Sequence, residues 1–310
     1  MVDTKDFKSI LDLIKTFPDE QTCIDHLENL RWNGNVISPF DPTSKVYDCK
    51  GNRYKCKNTG KYFNVKTATL FDNTKVSLQT WFIAIYLVTS HSKGISSVQL
   101  AKDLDVTQKT AWFMLHRIRN CFGIDENEKL EGRVEVDETY VGGENKNRSL
   151  SKRKEIHKNK FHTGMNDKTP VLGMLQRGGK VEVLVLGKAH AKEIRPILYN
   201  RIKDSSTIIT DGFAAYRTID RYFDKHVVVN HQENEYVVGE YSTNSIEGFW
   251  SLVKRGFFGI YHYVSPKHMQ KYLNAYAFRY NERQSSVSGK FNFMLTNMTN
   301  RLTYNQLING

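Results

Sequence analysis

With 310 residues, 39% of them hydrophobic and 25% charged, the chain has the bulk for one large domain or for two modest ones with cores of their own. No run of about 18 apolar residues occurs, which excludes a membrane-spanning helix, and the opening MVDTKDFKSILDLIKTF reads as an amphipathic helix, not a secretion signal. Lysine and arginine total 45 against 33 aspartates and glutamates, a formal net charge of +12 that favours a polyanionic partner, since each neutralised phosphate releases counterions.

Residues 1–35 carry Leu11, Leu13, Ile14 and then Ile24, Leu27, Leu30 at helical spacing, and Pro18 splits them into two predicted helices. Residues 36–75 hold turn formers and short alternating runs such as RYKC and KYFNV, which predicts a small β-module. A module of this size ordinarily needs a structural zinc. Its knuckle positions read Ser38 to Asp41 and Cys56 to Thr59, however, so too few thiolates are present for a tetrahedral site. The expectation is a degenerate ribbon without zinc, held by Tyr47, Tyr54, Tyr62 and Phe63. The four cysteines, Cys23, Cys49, Cys56 and Cys121, form no CxxC pair, which predicts reduced thiols and a cytoplasmic setting.

Residues 76–125 are helical again. Within them KGISSVQLAKDLDVTQKTAWFMLHRIR predicts a helix over 97–104, a turn at Asp105-Val106, and a second helix opening at Thr107. As a helix-turn-helix it would present Gln108, Lys109 and Thr110 to a DNA groove, with Arg117 and Arg119 on phosphates. The plain alternative is an ordinary helical hairpin.

Residues 130–288 alternate strand and helix. RVEVDETYVGG is a predicted strand and TPVLGMLQRGGKVEVLVLG a hairpin turning at Gly178-Gly179. AKEIRPILYNRI is a helix, STIITDG and HVVVNH are strands, and NSIEGFWSLVKR is a helix. The class is a mixed α/β domain. The basic stretch from Asn145 to Lys168 reads as a loop, either simply solvated or tracking nucleic acid. Residues 289–310 form a C-terminal tail. Of the aromatics from Tyr261 onward (Tyr261, Tyr263, Tyr272, Tyr276, Phe278, Tyr280), the four-residue repeat argues for helical core over a stacking platform.

Asp137 follows the alternation Val134, Val136, and Asp211 follows Ile208-Ile209 at a strand end, where sites of α/β domains gather. Glu247 shares a helix face with Asn244, Ser251 and Lys254. Two strand carboxylates and one helix carboxylate are the donor set for a pair of Mg²⁺ or Mn²⁺ ions clamping a phosphoryl displacement. Taken singly, each acid is equally a turn or surface residue, and Glu135, Glu138, Asp220, Asp224, Glu233, Glu235 and Glu240 compete with them.

VDETYVGGENKN, TDGFAAY and STNSIEGFWSLVKRGFFGIYHYVSPKHMQKYLNAYAFRYNER resemble the DDE-class insertion-sequence transposases of the subgroup with an N-terminal zinc ribbon. The likeness extends upstream over nearly the whole chain. It implies an RNase H-like catalytic domain with its acids at Asp137, Asp211 and Glu247. Lys254 is the basic residue seven positions on, touching a phosphate with Arg255 beside it, and Asn244 is a further metal-ligand candidate. The ribbon departs from the family, whose cysteines are missing at Ser38, Asp41 and Thr59. The implied reaction is hydrolysis at the element ends, followed by attack of the freed 3′-hydroxyl on target DNA. The implied partner is double-stranded DNA, engaged by a homo-oligomer. His231 and His262 lie close to these motifs and could meet the backbone, although packed or solvent-facing roles suit them as well. The competing readings are a catalytically silent DNA-binding protein, such as a domesticated transposase, and a structure-specific nuclease of the same fold.

Overall fold

A computed structural model describes residues 6–123, 128–142, 149–151, 168–229, 237, 239–299 and 301–309. His231 and the basic stretch from Asn145 to Lys168, apart from residues 149–151 and Lys168 itself, lie outside the described residues. The chain divides into two compact units, Met1–Gly123 with Gln284–Gly310, and Ile124–Arg283.

In the first unit, α1 (Ile10–Thr16) and α2 (Glu20–Trp32) flank Pro18, and Asp19 caps α2 by accepting from the Thr22 N–H at 2.8 Å. Three short strands, β1 (Val46–Cys49), β2 (Arg53–Cys56) and β3 (Tyr62–Phe63), form an antiparallel sheet. Trp32, Tyr54 and Phe63 pack edge to face or tilted at 5.2–6.1 Å beneath it. Tyr47 and Tyr62 instead face solvent under Lys45, Arg53 and Lys55, so only half of the expected aromatic set holds the module. Cys56 is buried, and hydrogen bonding with Ser38, Ser44 and Thr59 outweighs that burial and brings its thiol down to about 6. The neighbours of Cys56 are therefore hydroxyl side chains, and the module's other cysteine, Cys49, lies at the end of β1. Helices α3 (Leu78–Ser90), α4 (Ser97–Leu104) and α5 (Gln108–Arg119) follow. Asp105 ends α4 in the left-handed conformation, and Thr107 caps α5 through the Thr110 N–H at 3.2 Å.

The second unit is built on five strands. They are β4 (Arg133–Val141), β5 (Thr169–Gln176), β6 (Val181–Val185), β7 (Thr207–Thr210) and β8 (Lys225–Val228), in the order β6-β5-β4-β7-β8. β4, β5 and β6 run antiparallel, and the β5–β6 hairpin turns at Gly178, whose φ of 75° suits glycine. β7 and β8 run parallel to β4, as crossovers through α6 (Ala191–Arg201) and short 3₁₀ turns require. Alternation sorts the sheet's two faces. Val134, Val136, Leu172 and Met174 meet Ile194 and Leu198 of α6 on one side. Val171, Leu175 and Val183 meet α7 (Asn244–Gly256) and α8 (Pro266–Asn281) on the other. Tyr272 and Tyr276 sit in that second core, as their spacing predicts, but Tyr263 is 73% exposed and belongs to no core.

The chain then returns to the first unit through α9 (Val287–Thr296) and α10 (Tyr304–Asn309). Residues 289–310 are thus no free tail. Phe291 of α9 is fully buried against Phe7, Phe17 and Phe82 at 5.2–6.1 Å.

Candidate active site

Alternation along β4 puts Glu135 and Asp137 on the sheet face that α7 covers. The parallel pairing of β4 with β7 ends at Glu135 and Ile209, and two residues beyond it on each chain come Asp137 and Asp211, near enough for the charge of Asp211 to act on Asp137. Asp211 follows the last residue of β7 and accepts from the Phe213 N–H at 3.0 Å. Burial, joined by the negative charges of Asp211 and then Glu247, pushes Asp137 up to about 6. Glu247 lies exposed in the first turn of α7, where the Thr243 hydroxyl donates to it at 3.1 Å. Asp137, Glu247, Trp250, Ser251 and Lys254 line one cleft of about 710 Å³, and Asp211 and Asn244 lie outside its lining. Among the described residues no three His, Cys, Asp or Glu side chains stand close enough together to hold one metal ion. The three acids thus share one end of the sheet without forming a closed coordination sphere.

What aims α7 at β4 is a buried carboxylate paired with a half-buried arginine. Glu135 is 0% exposed, and one of its oxygens accepts from the Ser245 and Ile246 N–H groups, both at 2.9 Å. Thr243, at the N-cap, makes no side-chain cap, so a strand carboxylate takes over that task and meets the positive end of the helix. Its other oxygen accepts from Arg177 at 3.1–3.2 Å. Arg177 also donates to the Glu240 and Ser242 carbonyls and to the Ser242 hydroxyl, at 2.7–3.2 Å. One ring of contacts therefore fixes β4, the β5–β6 turn and the entrance to α7. Read from sequence, Glu135 is merely a competing acid; the signal of its role is a lone charge inside the apolar run Val134-Glu135-Val136.

Glu138 is the second residue with an unforeseen setting. It points to the opposite face from Asp137, toward Tyr216, which is buried. Burial, reinforced by Asp211 and Asp137, pushes Glu138 up to about 8. Burial likewise pushes Tyr216 well above its ordinary value. Trp250 completes the surroundings. Its ring packs over Gly173, the residue paired with Asp137 on β5.

The other candidates divide sharply. Lys254 and Arg255 are exposed on α7, and Asn244 is exposed at its first residue. His262 is exposed after the π-helical turn Phe257–Tyr261, with φ 56° and ψ −42°. In the first unit Gln108 and Lys109 are exposed at the start of α5, and Thr110 is half-buried. Arg117 and Arg119 are withdrawn from the phosphate-contacting set. They are 6% and 2% exposed, and Arg117 donates to the Leu302 and Asp72 carbonyls at 3.1 and 2.7 Å. For Arg117 helical spacing could not reveal this, because one of its acceptors, the Leu302 carbonyl, arrives from far along the chain.

Residues 129–281 match the family of ISXO2-like transposase domains. A protein in transposable element ISH50 of Halobacterium salinarum is 32% identical over 276 residues, spanning 86% of this chain and 92% of that protein. A transposase-like protein of Haemophilus influenzae is 26% identical over 111 residues, or 35% of this chain and 89% of its own length. With its mixed five-stranded sheet and this likeness along most of its length, the chain belongs to the insertion-sequence transposases with an ISXO2-like domain.

Proposed function

We propose that this transposase cuts DNA at the ends of its element and joins the freed 3′ ends to target DNA, with Asp137, Asp211 and Glu247 as the acidic set for two divalent cations. The observation that supports the reading is the nearness of the three acids: Asp137 and Glu247 line one cleft, and the charges of Asp211 and Glu247 both act on Asp137. Carboxylate oxygens are hard donors, so the set fits Mg²⁺ or Mn²⁺. Bound there, such cations neutralise charge on the attacking and leaving oxygens of an in-line displacement. Lys254, two turns along α7 from Glu247, holds a phosphate beside the cut, with Arg255 as its neighbour. Asn244 is a reserve ligand one turn before Glu247. The strand order, three antiparallel strands with two more parallel to the first, supports an RNase H-like fold. In the first unit, α4 and α5 act as a helix-turn-helix, with Gln108, Lys109 and Thr110 entering the major groove. A homo-oligomer brings paired ends together.

The test is a nicking and joining assay on DNA from the element's boundaries, with Mg²⁺ or Mn²⁺. Asp137→Asn, Asp211→Asn and Glu247→Gln are expected each to lower both reactions by at least about a thousandfold while DNA binding persists. Joining at the parental rate by Asp137→Asn protein would remove the acidic set from the mechanism. Stable DNA binding with no metal-dependent cutting by the parental chain would leave only a DNA-binding protein.

A further inference from the structure

Beside the acidic cleft lies a second one of about 260 Å³, floored by Val253 and Phe257 and rimmed by Lys168, Lys254, Phe258 and Tyr263. Lys254 and Phe258 line both clefts, so the two adjoin. We propose that this second cleft receives one unpaired base of the DNA strand being cut, stacked on Phe258 and Tyr263. The proposal rests on the strand-cutting reading above.

The helix itself lays out the path. Glu247, Ser251, Lys254 and Phe258 recur at spacings of four, three and four, which keeps them on one face of α7 and its continuation. Walking along that face from the acids, one meets a hydroxyl, then a cation for a phosphate, then an aromatic ring about one turn further on, or roughly 5 Å. Phe258 is 71% exposed and Tyr263 73%, the two highest exposures of any aromatic among the described residues. Their neighbours Phe257 and Tyr261 turn inward, with ring contacts to Tyr272 and Tyr276 at 4.8–6.5 Å. An aromatic-rich run that merely continued the core would hide all four rings.

The backbone between the two exposed rings is unusual as well. Phe257–Tyr261 is a π-helical turn, and His262 holds a positive φ with a negative ψ, outside the left-handed basin. Such turns and such strain persist where a site depends on them. Charge then selects the occupant. The lining of this cleft includes Lys168 and Lys254 and no acid among the described residues, which suits a strand of phosphates better than a second protein surface. Its volume falls just below the roughly 300–1,000 Å³ of drug-sized ligand sites, so it suits a single ring system. Aromatic stacking accepts any base, and an enzyme working at a nucleotide commonly draws a base out of the helix.

The experiment uses the full chain and boundary DNA in two arms. In the first, 4-thiothymidine is placed at each position flanking the cut, with Asp137→Asn protein holding the DNA uncut. Ultraviolet cross-links are expected to reach Phe258 or Tyr263 from one position only. In the second, cutting rates are compared for parental and Phe258→Ala proteins on intact ends and on ends made abasic at that position. Phe258→Ala is expected to slow cutting of intact ends by about tenfold. On the abasic ends it should change little, since no base remains to be held, and Phe258→Trp should restore the rate on intact ends. Independent, multiplicative effects of the variant and the abasic position would overturn the proposal, as would cross-links elsewhere. So would a Phe258→Ala defect confined to self-association, which would mark the rings as a contact between copies. If the parental chain cuts no DNA, the strand-cutting reading fails; if it cuts and Phe258→Ala cuts equally well, only the base pocket fails.

Discussion

At the scale of single residues, the most consequential side chain is one that touches no reacting group. Glu135 spends both oxygens on anchoring, one on the start of α7 and one on Arg177, and it lies two positions before Asp137 on the same face of β4. The strand that carries Asp137 and the helix that carries Glu247 are therefore referenced to each other through one carboxylate. Glu135→Gln keeps an acceptor for the helix N–H groups but gives up the charge that meets Arg177 and the helix dipole. A hydrogen bond to a charged group is worth about 1.5–3 kcal/mol, so a stability loss of that order is expected. A second readout separates positioning from bulk stability. At a temperature where the variant is fully folded, the Mn²⁺ concentration for half-maximal cutting should rise several-fold, while DNA affinity stays at the parental value. Unchanged metal dependence alongside lowered stability would make Glu135 a purely structural residue.

At the scale of elements, the seating of α7 on the sheet depends on the missing side chain of Gly173. A Cβ there would come within 2.4 Å of the Trp250 ring and 2.9 Å of Ile246, both on the helix that carries Glu247. Because Gly173 pairs with Asp137, the helix rests on the sheet directly beside the first acid. Gly173→Ala should therefore cost about 1–3 kcal/mol through overpacking and should slow cutting. Trp250→Leu added to it should recover part of the stability, so that the two losses are not additive in thermal denaturation. Strict additivity would show that the helix does not bear on Gly173. The sequence displays these elements and hides this contact. The alternation around Asp137, the apolar run before Asp211 and the stripe from Asn244 to Lys254 all lie in local pattern, and local pattern is what a strand or a helix imposes. Nothing local says that Gly173 is small for the sake of Trp250, seventy-seven residues on, or that Glu135 caps a helix more than a hundred residues away. Such partners are chosen by topology, and topology is not periodic.

At the scale of the whole molecule, the chain's two ends build one unit, and the acid-bearing unit is inserted between them. Phe7 and Phe17 from the beginning, Phe82 from α3 and Phe291 from near the end share a single aromatic core. The closing segment also accepts the Leu70 N–H at the Met298 carbonyl, 2.8 Å away, and Arg301 pairs with Asp72 at 2.8 Å. Residues 289–310 read from sequence as a C-terminal tail after the α/β domain, because an amphipathic helix does not declare which core it will join. If α9 belongs to the first unit, damage there should travel to residues 6–123 and spare the sheet of β4–β8. Phe291→Ala removes a fully buried ring and should cost about 3–5 kcal/mol. The tryptophans make the outcome readable, since Trp32, Trp81 and Trp112 lie in the first unit and Trp250 alone in the second. With Trp250→Phe as background, the fluorescence transition on heating should shift to lower temperature when Phe291→Ala is added. With the other three tryptophans replaced by phenylalanine, the Trp250 transition should stay where it was. Boundary DNA should be bound more weakly at temperatures between the two transitions. A Trp250 transition that falls while the other three hold would place α9 with the sheet of β4–β8 after all.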